Sequence, residues 1–314
     1  MGNQTILKEL FLFGLSDLPV LQLPLFLFFL LIYLLTLIWN LLIIALIVTD
    51  SHLHVPMYFF LGNLAGLDLC SSSVIVPRML FDLHTKRRKI TTTACMTQVF
   101  FFIFFVSSET FLLSVMSYDR YIAICKPLRY IGIMSWKVCV QLVCSVWCLS
   151  FFYSLVHTFY ALKLTFCESD IVETFFCDLI QLFQISCSDI YINVLLIFFL
   201  SGILTVGNLI MTFFPYVYIF KTVLKKKVKV NRSKVFSTCT PHLTVVILYY
   251  GSVCFNYFQP NGSHQFGGNK VVSMFYTVIL PLINPLIYSL RNQDLKTAFR
   301  NAVRKIIHNA IEFT

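Results

Sequence analysis

Two acidic side chains lie where charge is costly. Asp68 and Glu109 each occupy the middle of a long apolar stretch, and the amides of Asn40 and Asn284 lie in two further stretches of this kind. Ionisable groups inside a membrane span are expensive, so they indicate a function by default. If the four side chains face one another, they predict a polar core that holds a sodium ion or a proton. A hydrogen-bonded cluster that shares a proton and binds no ion is an equally good interpretation.

The stretch around Glu109 repeats at helical spacing down to an arginine. Its residues recur every three or four positions, so they share one helical face. Fourteen residues separate Val106 from Arg120, which is about 21 Å along an α-helix. This face is expected to connect an outer cavity through Glu109 to a switch at the inner boundary, where Asp119 precedes Arg120. The residues of the face are Phe102, Val106, Glu109, Leu113, Met116 and Arg120.

Proline and tyrosine mark two further stretches. In the stretch 271–290, Pro281 and Pro285 flank Asn284. Internal prolines free backbone carbonyls and bend a helix, so this stretch predicts a moving element. In the stretch 235–258, Tyr250 and Tyr257 lie seven residues apart on one helical face. The Tyr257 hydroxyl is predicted to meet a ligand in an apolar cavity, or else to bond to the outer loop or water.

The composition leaves one class of protein. Of 314 residues, 58% are hydrophobic and 12% are charged, and the mean hydropathy is +0.81. A soluble domain carries roughly 25% charged residues, and a disordered chain could not keep 33 Phe and 15 Tyr solvated. The apolar stretches are too long for the strands of a membrane barrel, which have roughly 10 residues. The net charge of +10 lies between apolar runs, so it indicates membrane topology rather than nucleic-acid binding.

The apolar stretches predict an all-α membrane protein with seven spans in one domain, 1–314. A bilayer core needs about 20 mostly apolar residues per helix. Residues 1–23 are expected to form the N-terminal tail, without a cleaved signal peptide. Residues 291–314 form the opposite tail, where 294–307 predicts a short amphipathic eighth helix. The predicted spans are 24–49, 57–80, 95–124, 138–160, 191–220, 235–258 and 271–290.

Basic residues predict the orientation. With the N-terminus extracellular, 16 of the 24 Lys and Arg residues fall in cytoplasmic segments, as the positive-inside rule requires. Asn3 begins a glycosylation sequon on the outer side, which agrees with this orientation although such sequons are common. The basic run 86–89 also falls outside, where a short solvated loop is preferred to a binding role.

Four cysteines are predicted to lie on the outer side: Cys95, Cys167, Cys177 and Cys187. In an oxidising compartment four cysteines allow three pairings, and the spacing does not choose among them. Zinc is a poor alternative because the chain has no CxxC and no nearby histidine pair. No metal site is predicted.

Four motifs in fixed order carry a resemblance to a known family. They are LHVPMYFFL at 53–61, MSYDRYIAICKPL at 116–128, KVFSTC followed by PHL within 234–243, and PLINPLIYSLRN at 281–292. The chain resembles the vertebrate odorant receptors of the rhodopsin-like G-protein-coupled receptors, and the first motif points to the tetrapod-type class. The match covers nearly the whole chain. Departures from the family pattern include Pro215 and Pro241, which flank the region expected to open to a G protein.

The resemblance implies roles for individual residues. It implies the disulfides Cys95–Cys177 and Cys167–Cys187, and an ion or proton site at Asp68 and Glu109 with Asn284. The implied activation switch and G-protein coupling residues are Asp119, Arg120, Tyr121, Tyr216, His242, Asn284, Pro285 and Tyr288. The implied ligand pocket is formed by Phe102, Ile103, Val106, Ser107, Ser201, Leu204, Tyr250, Val253, Tyr257 and Thr277.

The expected function follows from that resemblance. A receptor of this family binds a small, mostly apolar odorant, activates a heterotrimeric stimulatory G protein of the olfactory type at the plasma membrane, and raises cyclic AMP. Only Glu109 among acids and bases faces the implied pocket, so we expect a neutral ligand. Apart from the sodium ion or proton, no cofactor is expected. A receptor of the same fold for a non-odorant ligand stays open as the alternative.

Two other functions fit less well. A transporter usually shows inverted repeats and paired broken helices, and no strong repeat is found here. A membrane enzyme would need a nucleophile–base constellation or a metal motif such as HExxH, and the sequence has neither.

Overall fold

The apolar stretches form a bundle of long helices. The structure, a computed structural model, describes residues 9–15, 18–85, 87–166, 171–225, 232–257 and 266–312. Within these ranges, the side chains of 225, 232–238, 253–257, 266–269, 290–291 and 306–312 are not described.

Eight helices, α1 to α8, lie in the described ranges, and each predicted span coincides with one of the first seven. Their bounds are α1 Pro19–Thr49, α2 Pro56–Thr85, α3 Thr92–Cys125, α4 Trp136–Ala161, α5 191–225, α6 Arg232–Tyr257, α7 266–291 and α8 Gln293–Glu312. Short helical turns occupy loops at Ser51–Leu53, Pro127–Arg129, Tyr130–Ile133 and Leu179–Gln184.

Two of the long helices change their winding on the way. In α5 the segment Leu196–Ser201 is π-helical between Tyr191–Leu195 and Gly202–Lys225. In α7 the segment Phe275–Ile279 is π-helical between Phe266–Met274 and Leu280–Arg291. A π-turn inserts a residue and rotates the side chains that follow it, and such turns occur often at functional sites. Each turn contains one residue of the implied ligand pocket, Ser201 in α5 and Thr277 in α7.

Six helical segments of the described chain are long and apolar enough to cross a membrane. They belong to α1 to α5 and to α7; α6 is not among them, and its sequence starts with Arg232, Lys234 and a run of Ser and Thr. Large apolar side chains such as Leu27, Phe198 and Ile210 are exposed on the outside of the bundle. Such surface is stable in contact with lipid, so the chain is a multi-pass membrane protein of the predicted all-α class.

A small sheet covers one end of the bundle. It has three strands in the order β2–β1–β3, with β1 Glu9–Leu12, β2 Lys89–Thr91 and β3 Ile171–Val172. β1 runs antiparallel to β2, with Leu10 opposite Ile90, and parallel to β3. We call this end of the bundle the sheet end, and the opposite end, where α8 begins, the tail end.

The basic run next to β2 takes part in this cover. Arg88 donates through Nη1 to the carbonyl of Phe13 at 2.6 Å, and Lys89 forms a 3.4 Å ion pair with Glu9 of β1. Arg78 of α2 donates to the carbonyl of Lys89 at 2.7 Å. These basic side chains therefore tie the N-terminal strand to the α2–α3 connection, a more specific structural role than a solvated loop.

Candidate functional site

The polar core predicted from the spans is present in the middle of the bundle. Asp68 of α2 is 1% exposed and Glu109 of α3 is 5% exposed. The Asn284 side chain of α7 donates to both Asp68 carboxyl oxygens, at 3.0 and 3.3 Å. Ser71 donates to Glu109 Oε1 at 3.0 Å. Buried polar side chains thus join α2 to both α3 and α7.

Two amide oxygens in this core have no hydrogen-bond partner in the part of the chain that the structure describes. Asn40 of α1 donates to the carbonyls of Thr36 and Pro281, at 2.9 and 3.0 Å. The Oδ1 atoms of Asn40 and Asn284 are buried and have no hydrogen-bond partner among the described residues. Carboxylate and amide oxygens are the ligands that a hard cation accepts. The carboxyl and amide oxygens of this core therefore fit a small cation. A proton carried by one of the two carboxyl groups fits them equally well.

A second network joins α3, α5 and α6 closer to the sheet end. The Tyr249 hydroxyl donates to the carbonyl of Val106 at 2.9 Å and lies 2.6 Å from Thr110 Oγ1. Asn208 of α5 donates to the carbonyl of Thr110 at 2.8 Å and to the Tyr250 hydroxyl at 3.1 Å. All of these groups are neutral, so this part of the site can hydrogen-bond a ligand but offers it no charge.

Aromatic rings lie above that network at the sheet end. Phe102 of α3 contacts Phe176 of the α4–α5 connection, with ring centroids 5.2 Å apart, and Tyr276 of α7 at 6.3 Å. The Tyr276 hydroxyl is buried without a hydrogen-bond partner among the described residues. Thr277 beside it donates to the carbonyl of Ser273 at 2.7 Å. The loop therefore packs onto the implied pocket through an aromatic ring.

The loop also brings in a buried acid. Asp178 follows Cys177 and is 8% exposed. Burial raises the pKa of the Asp178 carboxyl to about 6, while the backbone N–H groups of Ile180 and Leu179 lower that pKa to a smaller extent. A carboxyl in this environment is partly protonated near neutral pH.

Ser201, a residue of the implied pocket, makes its hydrogen bonds to α4. It accepts a hydrogen bond from the Tyr153 hydroxyl at 2.6 Å and lies 3.1 Å from His157 Nε2. Tyr153 and His157 belong to α4, and their rings are 4.6 Å apart. The π-turn of α5 ends at Ser201. Its hydroxyl is therefore used between α4 and α5.

The other implied pocket residues are distributed as follows. Ile103 and Val106 of α3 are partly buried and pack against the hydrophobic core that α3 shares with its neighbouring elements. Ser107 is buried and donates to the carbonyl of Phe104 at 3.1 Å, and Leu204 is partly buried. The side chains of Val253 and Tyr257, near the end of α6, lie outside the described residues, so the predicted contact of Tyr257 with a ligand stays a prediction.

At the tail end, Arg120 is held by its neighbour in the sequence. Its Nη2 lies 2.6 Å from Asp119 Oδ2 in a buried ion pair. Tyr130, in the short turn after α3, donates to the other Asp119 oxygen at 2.8 Å. Burial and the Asp119 carboxylate raise the pKa of the Tyr130 hydroxyl. The arginine charge is thus neutralised inside the protein, and a partner that binds Arg120 must first break this pair.

Further predicted switch residues lie on the neighbouring helices. Tyr216 of α5 and His242 of α6 form a 2.5 Å hydrogen bond, and their rings are stacked. Tyr288 of α7 is buried with no hydrogen-bond partner for its hydroxyl among the described residues. Tyr121 is partly buried and packs edge-on to Tyr218 of α5. Pro285 lies inside the last helical segment of α7. These residues of α3, α5, α6 and α7 therefore occur at the tail end, whereas Asn284, also predicted as a switch residue, lies in the polar core.

Disulfide chemistry is confined to the sheet end within the described chain. Cys95 of α3 is bonded to Cys177 of the loop, and Gln98 accepts the Cys177 N–H at 2.9 Å. Cys187 is disulfide-bonded, but its predicted partner Cys167 lies outside the described residues. Asn3 also lies outside them. No cluster of three or more His, Cys, Asp or Glu that could hold a metal occurs in the ranges that the structure covers.

Sequence reasoning missed several groups of this site. Tyr249, one residue before the predicted Tyr250, contacts α3 directly, and Asn208 links α3 to α6. Asn208 carried a usable signal, since it is an amide inside a predicted span. Asp178 and Tyr276 carried no such signal in the sequence, because their burial depends on how the α4–α5 loop folds over α7.

Comparisons with known proteins cover almost the whole chain. The sequence profile of a family described as "Olfactory receptor" matches residues 29–308. Olfactory receptor 5B12 of Homo sapiens is 45% identical over 97% of this chain and 97% of its own length. Olfactory receptor-like protein COR5 of Gallus gallus is 47% identical over 96% and 97%. Squid rhodopsin superposes with a TM-score of 0.66 at 18% identity, covering 93% of this chain and 88% of that one, which is a likeness of fold.

Proposed function

The chain belongs to the olfactory receptor family, and on this premise we propose that it is an odorant receptor coupled to a G protein. A small, mostly apolar odorant binds between α3, α5, α6 and α7 near the sheet end. Binding favours a conformation that opens the tail end to a stimulatory G protein of the olfactory type, and cyclic AMP rises. Membership of the family over nearly the full length carries this proposal.

The chemistry near the sheet end supports a neutral ligand. The groups around Val106 are aromatic rings, aliphatic chains and neutral hydroxyl or amide groups such as those of Tyr249 and Asn208. Ligand sites of this kind obtain affinity from apolar contact and orientation from one or two hydrogen bonds. The two carboxyls nearby, Glu109 and Asp178, are both buried within the protein.

The path from ligand to G protein runs along α3. This helix is continuous from Thr92 to Cys125, so it carries Val106, Glu109 and Arg120 on one rigid element. Toward the sheet end, α6 contacts α3 through Tyr249. Toward the tail end, it contacts α5 through the Tyr216–His242 pair. A ligand that alters the α3–α6 contact shifts the population of the two end states by its differential affinity for them.

The polar core takes a sodium ion or a shared proton in this proposal. Asp68, Glu109 and Asn284 hold it, and Asn40 supplies a further amide oxygen that has no partner among the described residues. The sodium ion or proton neutralises carboxylate charge in the core and so stabilises the packing of α2, α3 and α7 against one another. No other cofactor is part of the proposal.

We place the sheet end outside the cell and the protein in the plasma membrane. The Cys95–Cys177 disulfide belongs in an oxidising compartment, and most Lys and Arg residues lie toward the tail end, as expected for the cytoplasmic side. Asn3 is then available for glycosylation, and the α5–α6 connection with its basic residues faces the G protein or the anionic inner leaflet.

A cyclic AMP assay in cells that express the receptor with an olfactory-type G protein tests the proposal. A panel of neutral odorants, carboxylic acids, amines and non-volatile neutral compounds is applied to the wild type. Arg120→Ala is the variant that lacks the predicted switch arginine, and Arg300→Ala, at an exposed position of α8, is its matched control. We expect responses to some neutral odorants. Responses restricted to charged amines contradict the pocket, and responses only to non-volatile ligands favour the alternative, a receptor of the same fold for another ligand.

A further inference from the structure

Gln98 of α3 lies between the disulfide and the implied pocket and has no role in the receptor mechanism proposed above. It is 7% exposed, and it lies about one helical turn after Cys95 and one turn before Phe102, on the same face of α3. Its amide nitrogen donates to the carbonyl of Val74 in α2 at 3.1 Å, and its Oε1 accepts the Cys177 N–H of the α4–α5 loop at 2.9 Å. Both polar ends of this side chain are therefore bonded within the protein.

An amide satisfies both partners of Gln98, whereas a carboxylate or an apolar side chain of the same length does not. The Val74 carbonyl needs a donor and the Cys177 N–H needs an acceptor, and glutamine carries the two on one group. Val74 lies three residues before Pro77 of α2, and a proline inside a helix removes a backbone hydrogen bond in the turn before it. Gln98 thus braces α2 at that weaker turn and holds the loop at the same time.

The loop peptide group between Phe176 and Cys177 is fixed on both sides. Its N–H donates to Gln98, and its carbonyl accepts a hydrogen bond from Thr174 Oγ1 at 2.5 Å. The Cys95–Cys177 disulfide restrains the side chain of Cys177 but leaves this peptide group free to turn. Because a peptide group is planar, hydrogen bonds to its N–H and to its carbonyl fix its orientation. Gln98 and Thr174 together therefore set the direction in which Phe176 leaves the backbone.

Phe176 is the loop residue whose ring contacts the implied pocket. It is fully buried, and its ring centroid lies 5.2 Å from that of Phe102, which is about 6 Å further along α3 than Gln98. The ring of Phe175 packs against it at 5.0 Å. Side chains in a close-packed interior transmit a displacement to their neighbours. A turn of the loop peptide group would therefore move the ring that closes the pocket toward the sheet end.

We propose that Gln98 is a positioning residue for odorant binding, because it holds the peptide group that directs the Phe176 ring onto Phe102. Gln98 acts through Phe176 and does not contact the odorant, since both of its polar ends are bonded within the protein. The inference rests on the proposed function, because it places the odorant on the tail-end side of the Phe176 ring. The hydrogen bond from the loop to Gln98 exists without an odorant, so it can be tested separately.

Hydrogen exchange of the full-length receptor, purified without odorant, tests the contact with the loop. Peptides that contain residue 177 are followed by mass spectrometry, with the disulfide reduced after the exchange is quenched. Gln98→Met keeps the length of the side chain but removes its donor and acceptor, so it should speed exchange of the Cys177 N–H about fivefold, as expected for one hydrogen bond of about 1 kcal/mol. Gln98→Glu keeps an acceptor oxygen and should exchange like the wild type. Gln141→Met, at an exposed position of α4, is the matched control.

Cyclic AMP dose–response curves distinguish positioning from a purely structural role. For each neutral odorant that activates the wild type, Gln98→Met should raise the half-maximal concentration about five- to tenfold and keep the maximal response at matched surface expression. Gln98→Glu should restore potency, although loss of the donor to Val74 lowers its Tm. Thr174→Val releases the carbonyl of the same peptide group without touching α2, so it should lower potency as Gln98→Met does.

Three results overturn the proposal. The first is wild-type exchange of the Cys177 N–H in Gln98→Met, and the second is unchanged odorant potency in both Gln98→Met and Thr174→Val. The third is a loss of potency in Gln98→Glu that equals the loss in Gln98→Met and follows the fall in Tm. A wild-type receptor that responds to no odorant refutes the proposed function instead, and the exchange experiment then decides whether Gln98 holds the loop.

Discussion

Among single residues, Asp178 of the α4–α5 loop makes the most direct prediction, because its acid side chain is buried. Asp178 has a pKa of about 6 because it is buried, against an ordinary value of 3.8. Between these values the folded chain keeps a proton that the unfolded chain has lost, so the free energy of unfolding falls as pH rises from about 4 to about 6. This difference between the folded and unfolded pKa of Asp178 corresponds to about 3 kcal/mol in the free energy of unfolding.

We therefore expect Asp178→Asn to stabilise the receptor at neutral pH, by up to about 3 kcal/mol. The amide keeps the size and an acceptor oxygen but carries no charge to bury. Tm measured across this pH window should show a fall for the wild type and a flatter profile for the variant. Asp189→Asn, at an exposed position of the same loop, is the matched control. Equal slopes for wild type and Asp178→Asn contradict the assignment.

The polar core makes a second prediction at this scale. Asp68 and Glu109 are buried beside amide oxygens that lack partners among the described residues, so we expect sodium to raise the Tm of the wild type relative to choline. Asp68→Asn should remove the sodium response while still accepting a hydrogen bond from Asn284. The expected difference is about 1–3 kcal/mol, the cost of a buried unsatisfied polar group. A Tm that sodium leaves unchanged in the wild type assigns the core to a proton.

At the scale of elements, α5 is held to α4 by a short polar contact. Ser201 bonds with Tyr153 and His157 across the two helices, next to the π-turn that orients it. Ser201→Ala removes the partner of the partly buried Tyr153 hydroxyl and of the buried His157 ring, so we expect a loss of about 1–3 kcal/mol in stability. Thermal unfolding in detergent measures this loss.

Ser107→Ala is the control for that contact, because the Ser107 hydroxyl bonds to its own helix. It should change Tm little. An unchanged Tm for Ser201→Ala, with a loss of odorant potency, would show that Ser201 is a ligand residue, as the sequence predicts.

The long helices were predictable from the sequence because each apolar run is about as long as a bilayer requires or longer. The sheet was not, since its strands have two to four residues and lie at 9–12, 89–91 and 171–172. Strands this short carry no periodic signal. The polar core was predicted because Asp68 and Glu109 are conspicuous in apolar surroundings. The sequence did not predict that Tyr249, rather than Tyr250, contacts α3. Neighbouring residues differ in direction by about 100° around a helix, so an error of one position changes the face.

At the scale of the whole molecule, two polar ends are joined by continuous helices. The sheet end holds the disulfide and the aromatic rings over the implied pocket, and the tail end holds the Arg120–Asp119 pair. Between them lie the α3–α6 hydrogen bond of Tyr249 and the carboxyl core. Buried polar contacts of this kind favour discrete arrangements over gradual deformation, so a ligand at one end can change the population of states at the other.

Because the two ends are separate, Arg120 can be removed from the tail end without a direct change to the implied pocket. Arg120→Ala should abolish the cyclic AMP response, because the side chain that a G protein is proposed to meet is gone. Odorant affinity should change little, since Val106 lies about 21 Å away along α3. Surface staining, radioligand or fluorescent-odorant binding and cyclic AMP are measured in the same cells, with Arg300→Ala as the control that keeps all three. A loss of odorant binding as large as the loss of signalling would show that Arg120 supports the pocket itself and is not a switch at the tail end.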